Sequence, residues 1–137
     1  VERSRGLGDV YKRQGQKKGK RPVNGNLYAM MGVQPNKRLD ATEIAERCVY
    51  MFANEAAYCL QEGVLQQPMH GDIGAVFGLG FMPFTGGPFR FMDQVGISEV
   101  VAKLEGFQAK YGARFAPAPI LKDMAKARSK AKQRFYP

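Results

Sequence analysis

The sequence predicts an all-α domain of about five helices, and three observations predict it. Residues 40–63, "DATEIAERCVYMFANEAAYCLQEG", carry apolar side chains at spacings of three and four, the period of one helix face. No stretch shows paired strand-like runs joined by a hairpin turn signal, and no segment repeats. Glycines and prolines cut the remaining chain into pieces of helical length.

The elements follow in order. Residues 1–26 are polar, basic and without period, so they read as an irregular segment outside the domain, which spans 27–137. "LYAMMGV", from Leu27, gives a partial helical turn before Pro35 and a loop. In 40–63, Asp40 and Glu43 form a capping-box pattern in which Glu43 reaches back to the helix start. Ala45, Val49, Phe52, Ala56, Cys59 and Leu60 make the apolar stripe, with Glu43, Glu46, Arg47, Asn54 and Glu62 largely off it. Gly63 ends the helix. Asp72 is placed to cap a two-turn helix, "IGAVFGLG". Residues 80–87 are a loop with Pro83, Gly86 and Gly87, and Pro88 suits the first position of "PFRFMDQV", which stops at Gly96. Ser98 caps "EVVAKLEGFQAKY", whose Val100, Val101, Leu104, Phe107 and Tyr111 share a face up to Gly112. "ARFAPAP" is a proline-broken connector, and 119–132 form the last helix, with Leu121, Met124 and Ala125 apolar.

A chain of 137 residues is enough for one compact domain. Arg90 and Asp93 interrupt its most hydrophobic region, so no membrane span is expected, and the charged N-terminus lacks the apolar core of a signal peptide. Cys48 and Cys59 lie eleven positions apart, about three turns of one helix, too far to bond each other. They read as small buried residues in a reducing compartment. A single histidine, His70, and no CxxC motif leave no metal site to expect. The formal charge of +9 is uneven. Residues 1–22 hold eight Lys/Arg against two Asp/Glu, 116–137 hold six against one, and the middle holds seven against nine. Basic ends on an acidic middle read as solvated segments, which disfavours nucleic acid as a partner.

Residues 71–93, "GDIGAVFGLGFMPFTGGPFRFMD", pose the chemical question. Gly78–Leu79–Gly80 supplies half of a dinucleotide fingerprint, but Pro83 stands where the third glycine belongs and no strand precedes it. No GK[ST] follows for a P-loop. The ribbon therefore reads as small residues that let helices touch and turn the chain sharply. His70 has no acid partner in a fixed-period relation and is placed at a loop tip, and Ser4, Ser98 and Ser129 lack a nucleophile context. Arg90 and Asp93, three apart, can pair with each other or bond backbone as a structural clamp. Met30, Met31, Met82 and Met92 read as core filler.

"ERCVYMFANEAAYCLQEGV", "GDIGAVFGLGFMPFTGGPFRFMDQVG", "AKYGARFAPAPILKDMA" and the closing "RFYP" resemble the C-terminal helical domain of 3-hydroxyacyl-CoA dehydrogenases, above all the last domain of multifunctional fatty-acid oxidation α subunits. The likeness covers roughly residues 15–137; residues 1–14 do not fit it and are read as non-native, and Met82 departs from the family's usual G-F-P-P run. The resemblance implies a C-terminal fragment of an enzyme of fatty-acid β-oxidation. That enzyme carries an enoyl-CoA hydratase domain, an NAD-binding Rossmann domain and two related helical domains, of which this chain is similar to the second. It implies oxidation of a 3-hydroxyacyl-CoA by NAD, with an acyl-CoA substrate and a thiolase β subunit as further partner, in a bacterial cytoplasm or a mitochondrial matrix.

The family's catalytic His–Glu pair and the two hydratase glutamates belong to other domains. The asparagine of its V-N-R motif has no counterpart in "IAERCVY", and Asn54 belongs to a later motif. The resemblance thus implies no catalytic, cofactor-binding or metal-binding residue here, and an isolated chain without activity. Its part would be to support the dehydrogenase cleft by packing on the remaining domains of the same α subunit. Phe81, Phe84, Gly86, Gly87, Pro88, Phe89, Arg90 and Asp93 are the expected packing residues, because an apolar loop beside glycine pairs favours close contact. The alternatives are a small nucleic-acid-binding module using 12–21 and 122–134, or an autonomous helical scaffold that dimerises by its apolar face.

Overall fold

The computed structural model describes residues 25–34, 40–127 and 133–136. The chain divides into two units, Val1–Arg38 and Leu39–Pro137. In the first, α1 (Gly25–Met30) closes at Gly32, whose φ of 62° lets the Val33 N–H reach back to the Tyr28 carbonyl at 3.0 Å. The irregular reading of 1–26 falls almost wholly outside the described residues, as does the loop from Pro35.

The second unit is all-α, with no strand among its described residues. It comprises α2 (Ala41–Gln61), α3 (Pro68–Ile73), α4 (Pro88–Val95), α5 (Ile97–Tyr111) and α6 (Pro119–Lys126). A π-helical turn, Gly74–Gly78, and two 3₁₀ turns, Pro83–Thr85 and Ala113–Phe115, join them. Helix α2 starts where Asp40 accepts the N–H groups of Thr42 and Glu43 at 3.0 and 3.2 Å. Glu43 does not reach back to the cap. Its carboxylate accepts from Lys110 and from the Tyr111 hydroxyl on α5, and those bonds hold its pKa below the usual carboxylate value. One turn on, Lys103 on α5 donates to both oxygens of Glu46, at 3.0 and 2.9 Å. Gly63, at φ 77°, lets the chain leave α2.

The core gathers Tyr50, Ala53 and Ala57 of α2 with Phe89 and Met92 of α4, Val100, Leu104 and Phe107 of α5, and Phe115 and Leu121. This corrects the expected α2 stripe. The buried face runs through 50, 53, 54 and 57, while Ala45 and Cys48 are exposed and Phe52, Ala56 and Cys59 are only half-buried. The reason is that α4, α5 and α6 all pack on the Tyr50–Ala57 side, leaving the neighbouring flank to a different surface. Asn54, expected off the stripe, is 3% exposed. Its amide donates to the Ala116 carbonyl at 2.8 Å and accepts from the Ala118 N–H at 2.9 Å, satisfying a connector whose prolines supply no N–H of their own.

Two expected caps also move. Ser98 lies inside the first turn of α5, whose N-cap is Gly96, with φ 97° and no side-chain cap. The last helix ends at Lys126, with Ala127 extended; the expected continuation through 128–132 lies outside the described residues.

Candidate functional site

Asp72 does not cap a helix that follows it. It sits inside α3, buried, and its Oδ1 accepts the Phe89 N–H at 2.8 Å. Helix α4 has Gly87 at its N-cap and no capping side chain of its own, so the carboxylate of α3 takes that role from outside. The approach is close: a Cβ on Gly87, whose φ is 115°, would stand 2.4 Å from Asp72 Oδ1. The second carboxylate oxygen accepts the Tyr136 hydroxyl at 2.6 Å. Burial pushes the Asp72 carboxyl above its ordinary value, against the opposing pull of the Tyr136 hydroxyl and the Phe89 and Arg90 N–H groups. Burial and the neighbouring Asp72 push the Tyr136 phenol upward as well.

Asp93 and Arg90 clamp the same C-terminal segment. Asp93 accepts the Phe135 and Tyr136 N–H groups, each at 2.9 Å, and Arg90 lies 4.3 Å from the Tyr136 ring centre. The Phe135 ring meets Phe89 edge-on at 4.8 Å.

Beyond Asp72 the chain turns outward. The π-helical turn carries Phe77, 85% exposed, and runs into Leu79, 73% exposed. The 3₁₀ turn after it carries Phe84, 84% exposed. Ile73 adds a half-exposed fourth member. The two turns are tied to the body at three points. The Phe81 N–H donates to the Ala75 carbonyl at 2.9 Å, Gln94 donates to the Thr85 carbonyl at 3.2 Å, and Asp72 abuts Gly87. Beside the π-helical turn lies an open apolar groove of about 340 Å³ against α2, walled by Phe52, Ala56, Cys59, Gly74, Ala75 and Leu79. Glu55 and His70 are among its other lining groups.

The residues expected to pack outward divide. Phe81 is buried against Phe52 at 4.9 Å between ring centres, and Gly87, Pro88 and Phe89 are buried in the same unit. Phe84, Gly86 and Arg90 are exposed, and Asp93 is half-buried under the C-terminal segment. Sequence reasoning missed Ile73, Phe77 and Leu79. The signal was available: "IGAVFGLGFMPF" holds more large apolar residues than a two-turn helix has inward positions.

His70 lies within α3 rather than at a loop tip, and Cys48 is exposed rather than buried. Among the described residues no group of three His, Cys, Asp or Glu is gathered to hold a metal ion, and no helix is long and apolar enough to cross a membrane. Gly78–Leu79–Gly80 does not fit NAD: it closes a π-helical turn and presents exposed Leu79, with no strand before it among the described residues. Of the basic segments weighed for nucleic acid, 12–21 lies outside the described residues and 122–134 is only partly within them.

The second unit is all-α and leaves Ile73, Phe77, Leu79 and Phe84 exposed on and beside its two turns. The model of the 3-hydroxyacyl-CoA dehydrogenase C-terminal domain family matches residues 44–137, and the chain belongs to that family. It is 55% identical over 109 residues to the fatty acid oxidation complex subunit alpha of Shewanella amazonensis, covering 80% of this chain and 15% of the relative. The protein of the same name from Idiomarina loihiensis is 50% identical over 107 residues, covering 78% of this chain and 15% of the relative. That of Shewanella halifaxensis is 47% identical over 111 residues, covering 81% and 16%. The chain thus spans about 15% of the length of these relatives.

Proposed function

We propose that this domain is a structural part of the 3-hydroxyacyl-CoA dehydrogenase of a fatty-acid oxidation α subunit. In this reading the enoyl-CoA hydratase and dehydrogenase chemistry, NAD and the acyl-CoA substrate belong to other domains of the same polypeptide. A thiolase β subunit is the further partner, in a bacterial cytoplasm or a mitochondrial matrix. The ridge of Ile73, Phe77, Leu79 and Phe84, with the groove beside it, packs on those domains and holds the dehydrogenase cleft in register.

The exposure of the ridge carries the reading. Large side chains left bare on two tethered turns gain most when another apolar surface covers them. The tethers matter too, because a support that moved could not position reacting groups. The test is the double variant Phe77→Asp/Phe84→Asp in the whole α subunit. Dehydrogenase kcat/KM should fall by up to about 100-fold through displaced reacting groups, with hydratase turnover retained. Unchanged dehydrogenase turnover would refute the reading. The 137-residue chain alone should give no NADH-linked turnover with acetoacetyl-CoA, and turnover there would move catalysis into this domain.

A further inference from the structure

We infer that Tyr136 and Asp72 are positioning residues for the ridge: the C-terminal segment, through the Tyr136 hydroxyl, sets the relative placement of the turns that carry Phe77 and Phe84. The inference rests on the docking role proposed above and names what controls that surface.

Asp72 stands at the junction of both turns. It lies two residues before the π-helical turn that bears Phe77. Its carboxylate packs on Gly87, which leaves the turn that bears Phe84, and it holds the first free N–H of α4 through Phe89. One oxygen is committed to α4 and the other to Tyr136. Without the hydroxyl, the second oxygen loses its side-chain donor and draws water toward a buried carboxylate. The carboxylate can then rotate away from Phe89, and the cap it gives α4 loosens with it. The segment itself stays seated, because Asp93 holds its backbone and Arg90 and Phe89 hold its rings. The hydroxyl is therefore separable from the seating, which makes the inference testable by one atom.

The experiment is residue-resolved amide hydrogen exchange on the full 137-residue chain, wild type against Tyr136→Phe. The Phe89 amide reports the cap and the Phe81 amide reports the tether of the π-helical turn that bears Phe77. Both should exchange about tenfold faster, the scale of one lost hydrogen bond to a charged acceptor, while Leu104 in the middle of α5 keeps its rate. Equal acceleration at Leu104 would show a merely global loss and overturn the inference. Acceleration at Phe89 alone, or none, would overturn it as well. Should Tyr136→Phe fail to fold, Asp72→Ala supplies the second route, since it removes the acceptor of Phe89 and the partner of Tyr136 together. It must give the same local pattern, and a uniform one refutes. Ridge variants that leave whole-subunit catalysis intact would sink the docking reading without touching these exchange rates, so the two failures are distinguishable.

Discussion

Replacing Asn54 by alanine removes the one side chain that satisfies both sides of the 116–118 connector. The Ala118 N–H is fully buried and would lose its acceptor at 2.9 Å. Leaving such a donor unpaired costs about 1–3 kcal/mol. The Ala116 carbonyl would lose its 2.8 Å donor but keep the Tyr58 hydroxyl at 3.4 Å, so its share lies at the low end, about 1 kcal/mol. The sum is about 3 kcal/mol. For a unit of this size that lowers the melting temperature by roughly 12–24 °C. Urea unfolding followed by circular dichroism measures it directly, with the m-value expected to stay constant. Asn54→Asp is the control: it keeps the acceptor for Ala118 but sets a buried carboxylate against the Ala116 carbonyl, so it should be no milder. An Asn54→Ala variant within 0.5 kcal/mol of wild type, a small fraction of the loss worked out here, would refute the reasoning. Water would then serve the connector as well as the amide does.

Two further outcomes follow from the same geometry. Gly71→Ala would set a Cβ 2.5 Å from Phe89 Cε2 and 2.8 Å from Leu65 Cδ1, so it should destabilise by about 1–3 kcal/mol through overpacking. Gly74→Ala meets nothing within 4 Å on an ordinary helical φ, so in this chain it should be neutral or stabilise by up to about 1 kcal/mol, and paired thermal melts compare the two. The acid side of the stability profile should depend on Glu43. Its pKa is lowered in the folded state by the Lys110 and Tyr111 bonds, so its contribution is present above the unfolded value of 4.5 and is lost as pH falls through the lowered folded value. Glu43→Gln should flatten that limb in urea titrations between pH 5 and pH 3, a window set by carboxylate titration, and an unchanged slope would show that the bonds do not persist in solution.

The helices were legible because their signals are local. Asp40 marks a helix end by its side chain and Gly63, Pro88, Gly96 and Gly112 by their backbone chemistry, and all five do so in the structure. What failed to show was anything decided by a distant residue. Glu43 has the sequence spacing of a capping box, yet Lys110 and Tyr111, 67 and 68 positions away, offer a charged donor and a hydroxyl that the local N–H cannot match. Asp72 precedes an apolar run as a cap should, but the uncapped end of α4 lies 17 positions on and takes it. The α2 stripe failed for a related reason. Residues 52, 56 and 59 are apolar because they wall the groove, and residues 50, 53 and 57 because they fill the core. A one-dimensional period cannot tell one apolar destination from the other.

Among the described residues, three buried polar side chains are each committed to a backbone partner. Asn54 serves the backbone of 116–118, Asp72 serves Phe89, and Thr85 donates to the Met82 carbonyl at 2.7 Å. Each closes a connection in the chain that lacks a partner of its own. The large apolar groups of the two turns do the opposite and face outward. The docking proposal draws on both: polar groups turned inward fix the turns, and apolar groups are presented on them. Rigidity of the turns is what lets buried area count toward association, because ordering a loose loop at contact would consume much of the gain. Under the docking proposal the Asp72–Tyr136 hydrogen bond belongs with Phe77 and Phe84, because it helps to fix the turns that carry them.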